Sequence, residues 1–203
     1  MKKFELTDEF ITDIFGNKLF RIKALFDFGT IRAGELGGFA EKEENLSNDD
    51  NAWVSGDARV FGDALVSGDA LVSGDARVSG NARVSGNARV SGNAWVLDHA
   101  LVSGNARVSG DARVSGNADY AVIEGFGRYF RATTFFRCND KTLRVQCGCF
   151  YGDLAQFREI IKKTHGDSKY AKEYLAIADL MELHFSDEKK DRRPPEEETN
   201  NEQ

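Results

Sequence analysis

From Asn51 the chain repeats itself every six residues: Asn-Ala-Trp-Val-Ser-Gly, Asp-Ala-Arg-Val-Phe-Gly, Asp-Ala-Leu-Val-Ser-Gly. Alanine keeps this phase from Ala52 to Ala118, twelve times without a gap; valine does so eleven times from Val54 to Val114, and Tyr120 takes the twelfth slot. Glycine fills ten of the eleven slots between residues 56 and 116, the exception being Asp98. No other feature restricts the fold so tightly. Ala and Val two apart share one side of a strand, and the residue between them points the other way. Glycine tolerates the positive φ of a tight corner, and the Asp or Asn beside it bonds nearby backbone. A six-residue unit cannot bury its apolar side alone, so successive coils must stack.

This pattern resembles the hexapeptide repeat of left-handed parallel β-helices, the fold of the hexapeptide acyltransferases and γ-class carbonic anhydrases. The resemblance implies three hexads per triangular coil. Twelve hexads then make about four coils, a prism roughly 19 Å tall at ~4.8 Å per stacked strand. The chain is accordingly expected to be mainly β. A hairpin cap over residues 1–50 leads into a left-handed parallel β-helix over 51–120. A small C-terminal ββαα domain over 121–185 and a charged, disordered tail over 186–203 follow.

With eighteen residues per coil, one face shows Trp53, Leu71, Arg89 and Arg107 outward; the second shows Arg59, Arg77, Trp95 and Arg113; the third shows Leu65, Arg83, Leu101 and Asp119. Arginines on neighbouring rungs repel unless anions or stem stacking relieve them. Arg59, Arg77, Arg113, Arg89 and Arg107 are therefore a candidate ladder for phosphates or an acidic protein surface. The competing reading is a solvated face offset by the corner aspartates Asp57, Asp75 and Asp111, because residues 51–120 hold seven Asp against six Arg. One corner breaks the pattern, replacing Ser-Gly-Asn by Leu97-Asp98-His99. Phe61 occupies the matching slot two coils below. Phe61, Leu65, Trp95, Leu97, Asp98, His99 and Leu101 are thus expected along one edge, as a homo-oligomer (dimer or trimer) interface, a partner interface, or a surface packed against the chain's own terminal segments. The resemblance to acyltransferases makes His99, beside Asp98, the residue on which an enzyme reading would rest. The zinc carbonic anhydrases of this fold use three histidines, whereas here His165 and His184 lie outside the repeat. No catalytic residue, metal or cofactor is assigned.

In the flanks, Glu9–Phe15 and Lys18–Ala24 read as a hairpin across Gly16-Asn17, and Arg32–Ala40 as the lead into an irregular first coil. After the repeat, residues 120–126, 129–137 and 142–150 read as strands. Cys147 and Cys149 are expected to point the same way on the last of these, with Cys138 on its neighbour. Asp153 and Gln156 box the start of a helix that Gly166 ends, and a second helix runs from about Ser168 to His184. The stretch from Gly127 to Arg137 interleaves arginine with aromatics, as single-strand binders can, but strand alternation with aromatics inward explains it as well. The net charge of −6 does not advertise nucleic-acid binding. Three cysteines, no signal-peptide core and no apolar run of ~20 residues point to a reduced, cytoplasmic protein with no membrane partner.

Leu36-Gly-Gly-Phe with Glu43-Glu-Asn-Leu-Ser, and Cys147-Gly-Cys-Phe-Tyr-Gly with Thr164-His-Gly and Tyr170-Ala-Lys-Glu-Tyr-Leu, resemble the flanks of an uncharacterised bacteriophage- and prophage-encoded family that carries a hexapeptide β-helix between them. That resemblance implies a phage accessory protein and brings no catalytic residues. The expected function is a non-catalytic, oligomeric binding protein that engages a host protein or ribonucleoprotein, with inhibition of a defence complex such as a CRISPR effector as one use. The alternatives are an acyltransferase with His99 at a subunit interface, and a virion component built by end-to-end stacking.

Overall fold

The computed structural model describes residues 1–13 and 16–186. The repeat folds as a three-sided parallel β-solenoid in which each hexad contributes a two-residue strand and a corner. One wall stacks β4 (Trp53–Val54), β7 (Leu71–Val72), β10 (Arg89–Val90) and β13 (Arg107–Val108). The next stacks β5 (Arg59–Val60), β8 (Arg77–Val78), β11 (Trp95–Val96) and β14 (Arg113–Val114). The third holds β6 (Leu65–Val66), β9 (Arg83–Val84) and β12 (Leu101–Val102). Register is eighteen residues throughout, as in Arg59 opposite Arg77 and Trp95 opposite Arg113. Every Ala from 52 to 112 and every Val from 54 to 114 is buried, which makes one continuous core of small and β-branched side chains.

Strands β1 (Phe4–Thr12), β2 (Lys18–Ala24) and β3 (Leu36–Ala40) extend the second wall in the order β1-β2-β3-β5. The hairpin is longer than the sequence suggests, its strands running over Phe4–Thr12 and Lys18–Ala24. The Asp13 carboxylate accepts bonds from the Asn17 backbone nitrogen at 2.9 Å and from its side-chain amide at 3.0 Å, so strand pairing stops at Thr12 and Lys18. The last two residues of the expected first strand, 14 and 15, lie outside the described residues. Strand β3 runs parallel to β5 and forms the irregular opening rung. The cap also overturns one expectation about exposure. Trp53 sits on the outer side of the solenoid wall yet is 1% exposed, because Phe28 packs edge-on at 5.4 Å and the backbone at Gly37 closes over it.

After a short 3-10 turn at Asn117–Asp119, β15 (Tyr120–Ile123), β16 (Thr133–Arg137), β17 (Leu143–Cys147) and β18 (Phe150–Asp153) form an antiparallel sheet in chain order. Helices α1 (Leu154–His165) and α2 (Lys169–His184) pack on it. The unit is therefore four strands and two helices. Two expected strands are shortened where Gly125, Gly127 and Phe130 take positive φ. The last is divided by Gly148, whose φ of 59° turns the chain between Cys147 and Phe150. Cys149 consequently lies exposed in a turn and not beside Cys147 on a strand. Both helix starts match the sequence expectation: the Asp153 carboxylate accepts from the Gln156 nitrogen at 2.8 Å and the Gln156 Oε1 accepts from the Asp153 nitrogen at 3.0 Å, while the Ser168 hydroxyl oxygen accepts from the Ala171 nitrogen to cap α2. The tail from residue 187 lies outside the described residues.

Both ends of the solenoid are closed. At the start, the buried Asn45 amide donates to the Gly62 and Ala64 carbonyls, standing in for a missing rung. At the far end, Thr134 Oγ1 accepts from the Arg107 nitrogen and Asn117 Oδ1 from the Leu101 nitrogen, each at 2.9 Å. Tyr120 donates its hydroxyl proton to the Leu101 carbonyl, and the Asn139 nitrogen donates to the Asp111 carbonyl. These bonds occupy edge groups that would otherwise be open to another sheet.

Candidate binding site

The second wall carries Arg59, Arg77, Trp95 and Arg113 outward on successive rungs, and the β1–β2 hairpin rises beside it. Between them lies a groove of about 290 Å³ bounded by Leu19 of the hairpin, by Phe61 and Leu97, and by the three arginines around Trp95. Trp95, 39% exposed, is held between two guanidiniums: the Arg77 carbon lies 4.9 Å and the Arg113 carbon 5.4 Å from its ring. Stacking on the indole thus relieves part of the repulsion along this column. A second cleft opens on the far side of Trp95, lined by Asn93, Asp111, Arg113 and Asn139.

None of the solenoid arginines (59, 77, 83, 89, 107, 113) has an acid within ion-pair distance among the described residues. The corner aspartates do not offset them. Asp57 lies 3.8 Å from Arg21 of the hairpin, and Asp111 accepts from the Asn93 amide at 3.2 Å. Near-neutral composition hides this, because the acids sit at corners while the arginines sit mid-wall.

The residues expected along one edge come from the second and third walls, as the eighteen-residue spacing places them. Phe61, Trp95, Leu97 and Asp98 meet in the groove with Arg59, Arg77 and Arg113. Leu65 and Leu101 lie on the third wall, whose strands β6 and β12 carry them. Arg89 and Arg107 lie on the first wall, beside Gln146 of the C-terminal sheet. His99 is exposed past the corner, where its Nε2 is 3.5 Å from the Asn81 amide; it makes no hydrogen bond to Asp98. Sequence reasoning missed the contribution of Thr12, Asp13 and Leu19, because nothing in residues 1–24 says which wall the hairpin extends.

Asp98 adopts φ 58°, in the left-handed region where the other corners have glycine. A Cβ on Gly80 would lie 2.9 Å from the Asp98 nitrogen, so each corner is crowded by the rung above it. Above Asp98 the stack stops, since Gly116 is extended with φ −157°. The broken corner is thus tolerated where no further rung forbids a side chain, and it brings Leu97 and a carboxylate to the mouth of the groove.

Shifted acidities lie away from the groove. Burial lowers the Lys3 ammonium to about 8, against opposing attraction from Asp50 and Asp49. Burial pushes the Tyr174 phenol up to about 12, helped by the neighbouring Cys147. Burial likewise raises the Cys138 thiol. Among the described residues no three His, Cys, Asp or Glu side chains gather as a metal site.

Wall geometry, closed ends and an outward groove define a β-solenoid repeat protein. The family described as YdcK beta solenoid repeat matches residues 76–92, 82–98 and 100–116, so this part of the chain is similar to that repeat. No curated protein matches the chain. No described helix is long and apolar enough to cross a membrane.

Proposed function

We propose that this is a non-catalytic, oligomeric binding protein of phage origin that engages a host macromolecule, a defence complex such as a CRISPR effector being the kind of target it blocks. The observation that carries the reading is the column Arg59–Arg77–Trp95–Arg113. Among the described residues its guanidiniums have no acid within ion-pair distance, and it stands over a groove with an apolar floor from Phe61, Leu19 and Leu97. Buried apolar anchors ringed by charge suit a protein or ribonucleoprotein surface. The phage origin rests on the flanking motifs, and the cytoplasm of the bacterial host is where such a protein would act. Closed solenoid ends speak against end-to-end stacking as the alternative use.

Phage plating on a host with an active CRISPR system tests this reading. Expression of the protein restores plating, and Arg77→Glu with Trp95→Ala removes the effect while leaving the thermal transition in place. Turnover of acetyl-CoA that disappears in His99→Ala would instead assign the protein to the acyltransferases.

A further inference from the structure

The stretch from Gly127 to Arg137 does not behave as one alternating strand. Strand β16 starts only at Thr133, and within it Phe135 and Phe136 are fully buried. The four residues before it are loop, and there the aromatics face solvent: Tyr129 is 61% and Phe130 68% exposed. Phe130 has φ 53°, a backbone state that is an outlier for a bulky residue and holds its ring clear of both cores. Its ring has no aromatic or cationic partner among the described residues, so its face is free. Tyr129 is braced by the Arg131 and Arg128 guanidiniums at 4.8 and 5.5 Å.

This loop adjoins the first wall of the solenoid. Arg107 shares a concavity with Tyr129, Phe130, Arg131 and Glu124, and shares the adjoining one with Arg89 and Gln146. Arg89, Arg107, Arg128 and Arg131 have no acid within ion-pair distance among the described residues. Glu124 accepts instead from the Asn105 amide at 3.1 Å.

We propose that the Tyr129–Phe130 loop and the Arg89–Arg107 wall together bind single-stranded RNA. The free Phe130 face takes an unpaired base, since bases in a duplex are already stacked on one another. Arginines 107, 131, 89 and 128 take the phosphates, for which the guanidinium fork is suited. Glu124, a carboxylate inside an otherwise basic concavity, accepts from a ribose 2′-hydroxyl, the group that distinguishes RNA from DNA. An acidic protein would use the arginines and leave the aromatic face and Glu124 without a role.

Fluorescence anisotropy with labelled oligouridylate and oligodeoxythymidylate of about 12 nucleotides tests this on the full chain. Oligouridylate binds at about 50 mM salt and weakens linearly with log salt concentration. Phe130→Ala weakens it about tenfold at unchanged melting temperature, and Phe130→Trp retains it. Replacing Arg107 and Arg131 by Ala lowers the salt slope by roughly 1.4. The proposal is overturned if oligouridylate does not bind, or if Phe130→Ala binds like the parent. Equal affinity for oligodeoxythymidylate would overturn the choice of RNA. Displacement by polyglutamate, charge for charge, would show an acidic-protein surface instead.

Discussion

At the solenoid corners from Gly56 to Gly92 a glycine sits beneath the corner of the next coil, and the distance to that neighbour decides what else the position tolerates. A Cβ on Gly80 would come within 2.9 Å of the Asp98 nitrogen at a φ of 70°. Gly80→Ala should therefore cost at least the roughly 1–2 kcal/mol of the left-handed backbone alone, read as a fall in melting temperature. Asp98→Gly, at the last left-handed corner of its column, should relieve strain and raise it; the opposite order would contradict the stacking account. Lys3 makes a second residue-scale case. Its ammonium donates to the Asp49 and Asp50 carbonyls at 3.3 Å, yet burial lowers its pKa from 10.5 to about 8. Between these values unfolding takes up a proton, so this group's contribution to stability rises with pH from about 8 to 10.5. Denaturant titrations across that window should show the upward slope in the parent and a flatter profile in Lys3→Met.

Among the elements, β16 joins the two halves of the molecule by strand alternation. Phe136 belongs to the solenoid core and its neighbour Phe135 to the core under α1 and α2. Truncating either to Ala should cost about 3–5 kcal/mol, but hydrogen exchange should separate them. Phe135→Ala should loosen α1 and α2, and Phe136→Ala should loosen β13 and β14. Identical exchange patterns would deny the two-sided role. The solenoid was legible because one six-residue rule fixes burial, corner and register at once. The helix starts were legible because Asp153, Gln156 and Ser168 act locally. What escaped the sequence depends on contacts between distant segments. Trp53 is covered by Phe28, the hairpin tip completes the groove beside Trp95, and the loop at Tyr129–Phe130 leaves the sheet at glycines whose φ no propensity scale encodes. The repeat arithmetic gave both the grouping of Phe61, Trp95 and Leu97 and the third-wall position of Leu65 and Leu101.

For the whole molecule, net charge is a poor guide: a chain of −6 still displays six solenoid arginines that have no acidic partner among the described residues. Both solenoid ends are closed by the chain's own Asn45, Asn117 and Thr134, so light scattering should give a small fixed multiple of 22.5 kDa rather than a mass that grows with concentration. A monomer at micromolar concentration would remove self-association from the account. The most direct measurement of the central claim is affinity capture from host lysate, run in parallel with the parent chain and the Arg77→Glu, Trp95→Ala variant. The account predicts one stoichiometric macromolecular partner that the parent retains and the variant loses. Equal recovery by both, or recovery of none, would contradict the assignment of binding to the Trp95 groove.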